Sequence, residues 1–237
     1  MFHFSVDDTI DILKRLTHEN YTSCFEEPVL AFFKELHLKY GLKASLYCFY
    51  ENDEGFNLSM CTDKFKNEFY ENSDWLSFGF HAKNRKSDYS GYSGCDFLRE
   101  VKLVYDNLYE IVSKKAITFN VRLGFGKGNE ECIKAFKENY PSFEILYGVD
   151  DKRIEYHLTE KENDILLNEG EYYHEATGIT VKLSEPRLEK QPLTEDYLKG
   201  LKENEAYIFF THEVHLEREE IKEKLVRLCE FSNGFTL

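Results

Sequence analysis

The segment FHFSVDDTIDILKRL, residues 2–16, decides the fold. Its first part, Phe2 to Val6, is an apolar run rich in β-forming residues, and it ends at two acids, Asp7 and Asp8. Its second part, Thr9 to Leu16, has apolar residues at helical spacing. The pattern predicts a strand that leads directly into a helix, with two carboxylates where the strand ends.

The same unit recurs along the chain. Further strands are predicted at 44–50, 74–80, 117–123, 144–149 and 206–213, with a terminal strand at 234–237. Helices are predicted at 27–40, 96–115, 130–139 and 217–232. Repeated strand-then-helix units imply parallel strands flanked by helices, so the predicted fold class is α/β.

Residues 150–190 interrupt this alternation, because they are polar and have weaker periodicity. Candidate short strands there are EYHL (155–158), DILL (164–167), EYYHE (171–175) and ITVKL (179–183). We therefore expect an irregular or antiparallel β excursion in this part of the chain.

Composition limits the organisation and the partners. A chain of 237 residues with four prolines and no Ser/Gly-rich linker suits one domain over 1–237. Its formal charge of -14 repels phosphate backbones and anionic lipid, which argues against nucleic acid and membrane partners. The first residues, MFHFSVDD, do not form a signal peptide, and six cysteines without a C-x-x-C pair do not form a zinc knuckle. We expect a cytoplasmic protein, and nothing in the sequence indicates its oligomeric state.

Polar residues follow several predicted strands, at the ends where the chemistry of parallel α/β folds takes place. They are Asp7, Asp8, His81, Arg122, His212 and Glu213. Two neighbouring carboxylates cannot both stay ionised cheaply without a cation or proton between them, and a neutral imidazole binds divalent cations. These residues therefore predict a shared site, with a metal, at one end of the sheet.

Simpler interpretations exist for each residue taken singly. Asp7 or Asp8 could cap the helix that follows. A histidine at a strand end, such as His81 or His212, is commonly hydrogen-bonded to its neighbours. His215 could replace a missing metal ligand, although a solvated loop histidine is the simpler interpretation.

The order of these motifs resembles the polysaccharide deacetylase superfamily, which contains carbohydrate esterase family 4. That family begins with an aromatic-rich strand ending in Asp-Asp, matched by Phe4–Asp8. Its second motif has two metal-binding histidines four residues apart, and GFHAKNR matches His81 but has Arg85 in the second position. An arginine at a strand end is matched by Arg122, without the Pro-Tyr that usually follows. The last motif, a histidine before a long helix, is matched by His212 in FFTHE.

The resemblance implies a distorted (β/α) barrel with a role for each matched residue. Asp7 would be the catalytic base and His212 the catalytic acid, while Arg122 would orient the base. Asp8 and His81 would be metal ligands. Zinc is the favoured ion, and cobalt, nickel or manganese would also suit oxygen and imidazole donors.

Other residues would support this site. The segment SEPRLE (184–189) occupies the order of an acid-containing motif that holds the catalytic histidine, which makes Arg187, Glu185 and Glu189 candidates for that support. Asp88 or Glu213 could complete the metal shell.

The implied activity is metal-dependent hydrolysis of an N-acyl or O-acyl group on a carbohydrate-like substrate, either a small molecule or an oligosaccharide. Because Arg85 replaces a ligand, a catalytically inactive protein that binds a carbohydrate or acts as a scaffold remains the alternative.

Overall fold

The computed structural model describes residues 2–151, 153–201 and 207–234. The strands are β1 Phe2–Thr9, β2 Ala44–Phe49, β3 Leu76–Ala82, β4 Ile145–Tyr147, β5 Glu171–His174, β6 Ile179–Lys182 and β7 Tyr207–His212. The helices are α1 Asp11–His18, α2 Pro28–Tyr40, α3 Lys66–Glu71, α4 Gly94–Ile111, α5 Glu130–Asn139, α6 Glu160–Glu169, α7 Glu195–Gly200 and α8 Glu219–Gly234. The predicted α/β class is confirmed.

The first strand lies inside a parallel sheet of order β3-β2-β1-β7. Phe4 and Val6 of β1 are fully buried, and every residue of β2 is buried. Parallel strands covered on both faces have this near-continuous apolar sequence, which explains why the strand predictions were correct here. The register places the carboxyl ends of β1, β3 and β7 at one edge of the sheet.

The other strands form a second sheet, in which β4 pairs with β6 in parallel and β5 pairs with β6 antiparallel. The chain beyond β6 then donates backbone hydrogen bonds to β7, from Glu185 N–H to the Ile208 carbonyl and from Leu188 N–H to the Phe210 carbonyl. These bonds join one edge of the second sheet to the first.

The opposite edges are joined by residues 117–123, for which the sequence predicts one continuous strand. That prediction is wrong in detail: Ile117 bridges to β3 and Val121 bridges to β4, with no regular strand between them. Asn120 explains the break, because its side-chain oxygen accepts the N–H groups of Glu144 and Ile145. The segment thus changes partner halfway and closes a distorted barrel.

The excursion at 150–190 is part helix and part hairpin. EYYHE and ITVKL contain the antiparallel strands β5 and β6, as expected. EYHL is a turn, and DILL lies inside α6 instead of a strand. A capping box of Thr159 and Glu162 starts α6, and Gly170, at φ 79°, ends it. The terminal strand predicted at 234–237 lies outside the described residues apart from Gly234, which ends α8.

Buried apolar side chains from Phe4 to Cys229 form one core cluster. None of the helices in the described part of the chain could serve as a membrane span, because each is too short or too polar.

Candidate active site

The two acids of β1 reach the same cavity because the strand is irregular there. Successive side chains in a regular strand point to opposite faces. In β1 the pairing register shifts between Val6 and Thr9, and Asp8 takes a left-handed backbone conformation with φ 62°. As a result both Asp7 and Asp8 line a cavity of about 170 Å³ at the carboxyl end of the sheet. A left-handed non-glycine residue costs about 1–2 kcal/mol, although aspartate tolerates it better than most.

A buried arginine holds the first of these acids. Arg122 is 1% exposed, and its Nη1 donates to Asp7 Oδ1 at 2.9 Å and to Ser5 Oγ at 3.0 Å. Its Nη2 donates to Ser184 Oγ at 2.7 Å, and its Nε donates to the Gly148 carbonyl at 3.0 Å. A buried charge requires such partners, and together they fix the position of the Asp7 carboxylate.

The second acid faces a histidine whose orientation is set from behind. His81 Nδ1 donates to the Arg122 carbonyl at 2.6 Å, so in the neutral ring the lone pair is on Nε2. That atom lies 3.2 Å from Asp8 Oδ1. Burial lowers the pKa of His81, but Asp7 and the hydrogen bond to Asp8 raise it more, and the net shift is upward. Two acceptors at this distance require a proton or a cation between them.

A second carboxylate and histidine pair lies at the end of β7, where His212 pairs in register with Asp7 of β1. Glu189 accepts a hydrogen bond from His212 Nδ1 at 2.6 Å and another from the Thr211 hydroxyl at 2.8 Å. Burial raises the pKa of Glu189, and these hydrogen bonds lower it to below its usual value. Because Nδ1 is the donor, His212 Nε2 is the atom that can exchange a proton with a ligand in the cavity.

The same pair belongs to a second group of metal-ligand atoms. Glu189, His212 and His215 each offer one ligand atom, and these atoms lie within 4.8 Å of one another. His215 Nδ1 is buried without a hydrogen-bond partner, and burial lowers the pKa of that ring. Two imidazoles and a carboxylate are donors that suit zinc. The chain therefore has two adjoining sets of donors, Asp8 with His81 and this cluster.

Two further arginines named in the sequence analysis line the cavity with Arg122. Arg187 does so with its guanidinium paired to the buried Asp150, Nε to Oδ2 at 2.8 Å. Arg85, in the position where the resemblance places a second metal-binding histidine, turns instead toward Asp53 at 3.7 Å.

The structure does not bring the three remaining candidates into the cavity. Asp88 forms an ion pair with Lys127 at 2.8 Å, and Glu185 accepts a hydrogen bond from the Tyr197 hydroxyl of α7. Glu213 accepts the N–H groups of Ile10 and Asp11, both at 2.8 Å, and so caps α1. Glu213 is the first residue of the 3-10 turn Glu213–His215, which follows directly after β7 ends at His212. The prediction that Asp88 or Glu213 completes a metal shell is not supported by this geometry.

Several residues of the site were missed by sequence reasoning. Ser5 and Ser184 anchor Arg122, and Phe210 stacks on its guanidinium at 3.9 Å from the ring centroid. Ser5 could have been found, because it lies two residues before Asp7 and therefore on the same face of β1. Arg153 lies in the polar excursion, where no pattern marks it.

A more open groove of about 920 Å³ lies along α4 and is lined mainly by charged side chains. We place the site in the smaller cavity, because the paired acids and histidines are there.

No family model and no curated protein matches the sequence of this chain. Solved structures do match its fold. A protein from Mycobacterium smegmatis assigned to the polysaccharide deacetylases has a TM-score of 0.57 and 8% identity over 98% of this chain and 84% of its own. The chitin deacetylase of Colletotrichum lindemuthianum has a TM-score of 0.51 and 12% identity over 98% and 82%.

A third match has a different activity. The 4-alpha-glucanotransferase of Thermococcus litoralis has a TM-score of 0.57 and 14% identity over 96% of this chain, but over only 37% of its own length. At these identities the likeness concerns the fold and leaves the activity to the site. The predicted barrel is thereby confirmed, and the chain has the α/β fold of the polysaccharide deacetylases.

Proposed function

We propose that this chain is a metal-dependent hydrolase that removes an N-acyl or O-acyl group from a carbohydrate-like substrate. The observation that carries the proposal is the pair of acceptors facing each other across 3.2 Å, Asp8 Oδ1 and His81 Nε2. The Arg122 carbonyl fixes the ring of His81 from behind, which is the usual way in which a metal-ligating histidine is oriented. Zinc suits this donor set best, and cobalt, nickel or manganese also fit.

Asp7 and His212 can then each carry out one of the two proton transfers. Asp7, held by Arg122, accepts the proton of the attacking water. His212, oriented by Glu189, donates a proton from Nε2 to the departing nitrogen or oxygen. A divalent ion at Asp8 and His81 would supply the polarisation of the acyl carbonyl.

One observation favours a second candidate function, a non-catalytic carbohydrate-binding protein. Arg85 lines the cavity in the position of the second metal-binding histidine, and an arginine cannot be a ligand. A fixed positive charge there also opposes a divalent cation.

We further propose that residues 1–237 form a single domain that acts in the cytoplasm on a small-molecule or oligosaccharide substrate. The acidic charge and the absence of a linker support this proposal.

Metal content tests the hydrolase proposal directly. Protein prepared without a histidine tag is analysed by elemental mass spectrometry as wild type, Asp8→Ala and His81→Ala. His18→Ala is the matched control, because His18 is an exposed histidine on α1. We expect a stoichiometric ion in wild type and in the control, and its loss in both site variants.

A further variant, His215→Ala, assigns the ion to one of the two donor sets. Retention of the ion places it at Asp8 and His81, whereas its loss moves it to the cluster of Glu189, His212 and His215. Wild type that is metal-free and takes up no added zinc, cobalt or nickel would favour the non-catalytic alternative. Protein that holds an ion would then be assayed for hydrolysis of N-acetylated sugars.

A further inference from the structure

The side chains that line the cavity include more arginines than aspartates, although the chain as a whole carries a formal charge of -14. Its ionised side chains are two aspartates and four arginines, namely Asp7, Asp8, Arg85, Arg122, Arg153 and Arg187. Three of these arginines pair with Asp53, Asp150 or Asp151, so an anionic ligand would be attracted by the guanidinium groups that can turn away from such a pair, within a cleft that concentrates their field.

Two of the four arginines are fully engaged by the protein. Arg122 is buried and donates to four partners. Arg187 is bonded through two nitrogens to Asp150, a residue whose side chain is 1% exposed. Moving either guanidinium toward a ligand would leave a buried carboxylate unpaired, which is costly. These two arginines therefore shape the cavity and do not bind the anion.

The other two arginines remain available. Arg85 is 61% exposed, and its partner Asp53, at 3.7 Å, is 59% exposed. Such an exposed ion pair contributes at most about 1 kcal/mol, so Arg85 can turn to a ligand at little cost. Arg153 is 41% exposed; it pairs with Asp151 and donates from Nη1 to the Phe125 carbonyl at 2.8 Å. Its Nε and Nη2 both donate to Asp151, so two of the five N–H groups of Arg153 remain for a ligand, and Asp151 is itself 38% exposed.

The charge of Arg85 also acts on Asp8. Burial raises the pKa of Asp8, but the hydrogen bond from His81 and the charges of His81, His212 and Arg85 lower it to below its usual value. Arg85 occupies the sequence position expected for a metal ligand, and its positive charge contributes to the lowered pKa of Asp8.

We infer that the substrate of this site carries an anionic group, a carboxylate or a phosphate, which Arg85 binds with Arg153 at the rim of the cavity. Arginine suits both groups, because its fork of donors matches the geometry of either anion. The inference rests on the proposed function, since it names the class of acylated carbohydrate that the site would take. Phe125, 52% exposed on the loop that Arg153 holds, offers an apolar face beside the anion.

Binding without turnover tests this inference. Isothermal titration calorimetry compares neutral N-acetylglucosamine with phosphorylated N-acetylglucosamine, with N-acetylmuramic acid as the carboxylate probe, and with inorganic phosphate. The proteins are wild type, Arg85→Ala, Arg85→Lys and the control Arg99→Ala, whose exposed side chain pairs with Asp96 outside the cavity.

We expect at least one of the two anionic sugars to bind wild type at least about tenfold more tightly than the neutral sugar, and the stronger probe identifies the anion. Arg85→Ala should abolish that preference, Arg85→Lys should keep part of it, and Arg99→Ala should not change it. Equal affinity for neutral and anionic sugars, no binding of any probe at about 10 mM, or an unchanged preference in Arg85→Ala would overturn the inference. Failure to hydrolyse any acylated sugar would refute the proposed activity and leave the binding result unaffected.

Discussion

Arg122→Met should be among the most destabilising single substitutions in this protein. The side chain is 1% exposed, and it neutralises Asp7, which is 2% exposed. Methionine fills a similar volume but leaves the Asp7 carboxylate buried without a counter-charge, and breaking a buried ion pair in this way costs about 3–5 kcal/mol. For a chain of this length that corresponds to a fall of about 6–20 °C in melting temperature.

A double-mutant cycle separates the ion pair from lost packing. Urea unfolding is measured for wild type, Arg122→Met, Asp7→Asn and the double variant, and the slopes must agree before free energies are compared. Each single variant leaves one member of the ion pair without its partner. The double variant should therefore lose about 1–3 kcal/mol less free energy of unfolding than the two single variants lose in total. Arg99→Met is the control: its exposed pair with Asp96 at 3.0 Å is worth less than about 1 kcal/mol.

The reasoning is refuted if Arg122→Met costs no more than Arg99→Met, or if the two substitutions at the ion pair are additive. Either result would mean that Arg122 does not hold Asp7 as an ion, and the role of Asp7 as a base would lose its structural support.

Three further predictions concern residues around the barrel. Burial raises the pKa of Glu155 to about 7, above its usual 4.5, so its contribution to stability is complete below pH 4.5 and is lost progressively as the pH rises from 4.5 through 7. Glu155→Gln should flatten the fall in melting temperature over this pH range in calorimetry. Gly126→Ala should destabilise by more than Gly170→Ala in urea unfolding, because both have positive φ but only at Gly126 would a Cβ approach another side chain, at 2.8 Å. Glu213→Ala should lower the free energy of unfolding by about 2–3 kcal/mol, because buried N–H groups of α1 would lose their acceptor. Thr159→Ala, at the exposed cap of α6, should lower it by only about 1 kcal/mol. Equal losses in thermal unfolding would contradict this role of Glu213.

The sequence was sufficient to predict which strand ends meet at one cavity. Asp7, His81, Arg122 and His212 all line the cavity, because buried parallel strands have long apolar runs whose ends are visible in the sequence. The sequence also predicted Asp8 in this group, but it did not reveal the left-handed backbone that turns Asp8 toward the same cavity as Asp7. Glu213 does not line the cavity, because β7 ends at His212 and the carboxylate of the next residue, in the 3-10 turn that follows, caps α1.

Other errors arose where the partner of a segment decides its structure. Residues 117–123 have the apolar sequence of a strand, but their pairing changes from β3 to β4. The Asn120 side chain accepts hydrogen bonds from Glu144 and Ile145 at that point, and these distant partners are not visible in the local sequence. A short apolar run such as 164–167 is compatible with strand or helix, and here the helix is favoured by the capping box of Thr159 and Glu162. That signal was present in the sequence and could have corrected the prediction.

The function of this chain depends on what lies between Asp8 and His81. The fold does not decide it, because the same architecture occurs in a glucanotransferase as well as in deacetylases. With a proton in the gap of 3.2 Å, His81 is an imidazolium that neutralises Asp8, and the cavity can bind a ligand without reacting with it. With a divalent cation there, Asp8 and His81 would be its ligands. Asp7 would then accept the proton of the attacking water, and His212 would donate a proton to the leaving group. The positive charge of Arg85 opposes the cation of the second state and favours anion binding in both, so metal content and anion preference are linked through this one side chain.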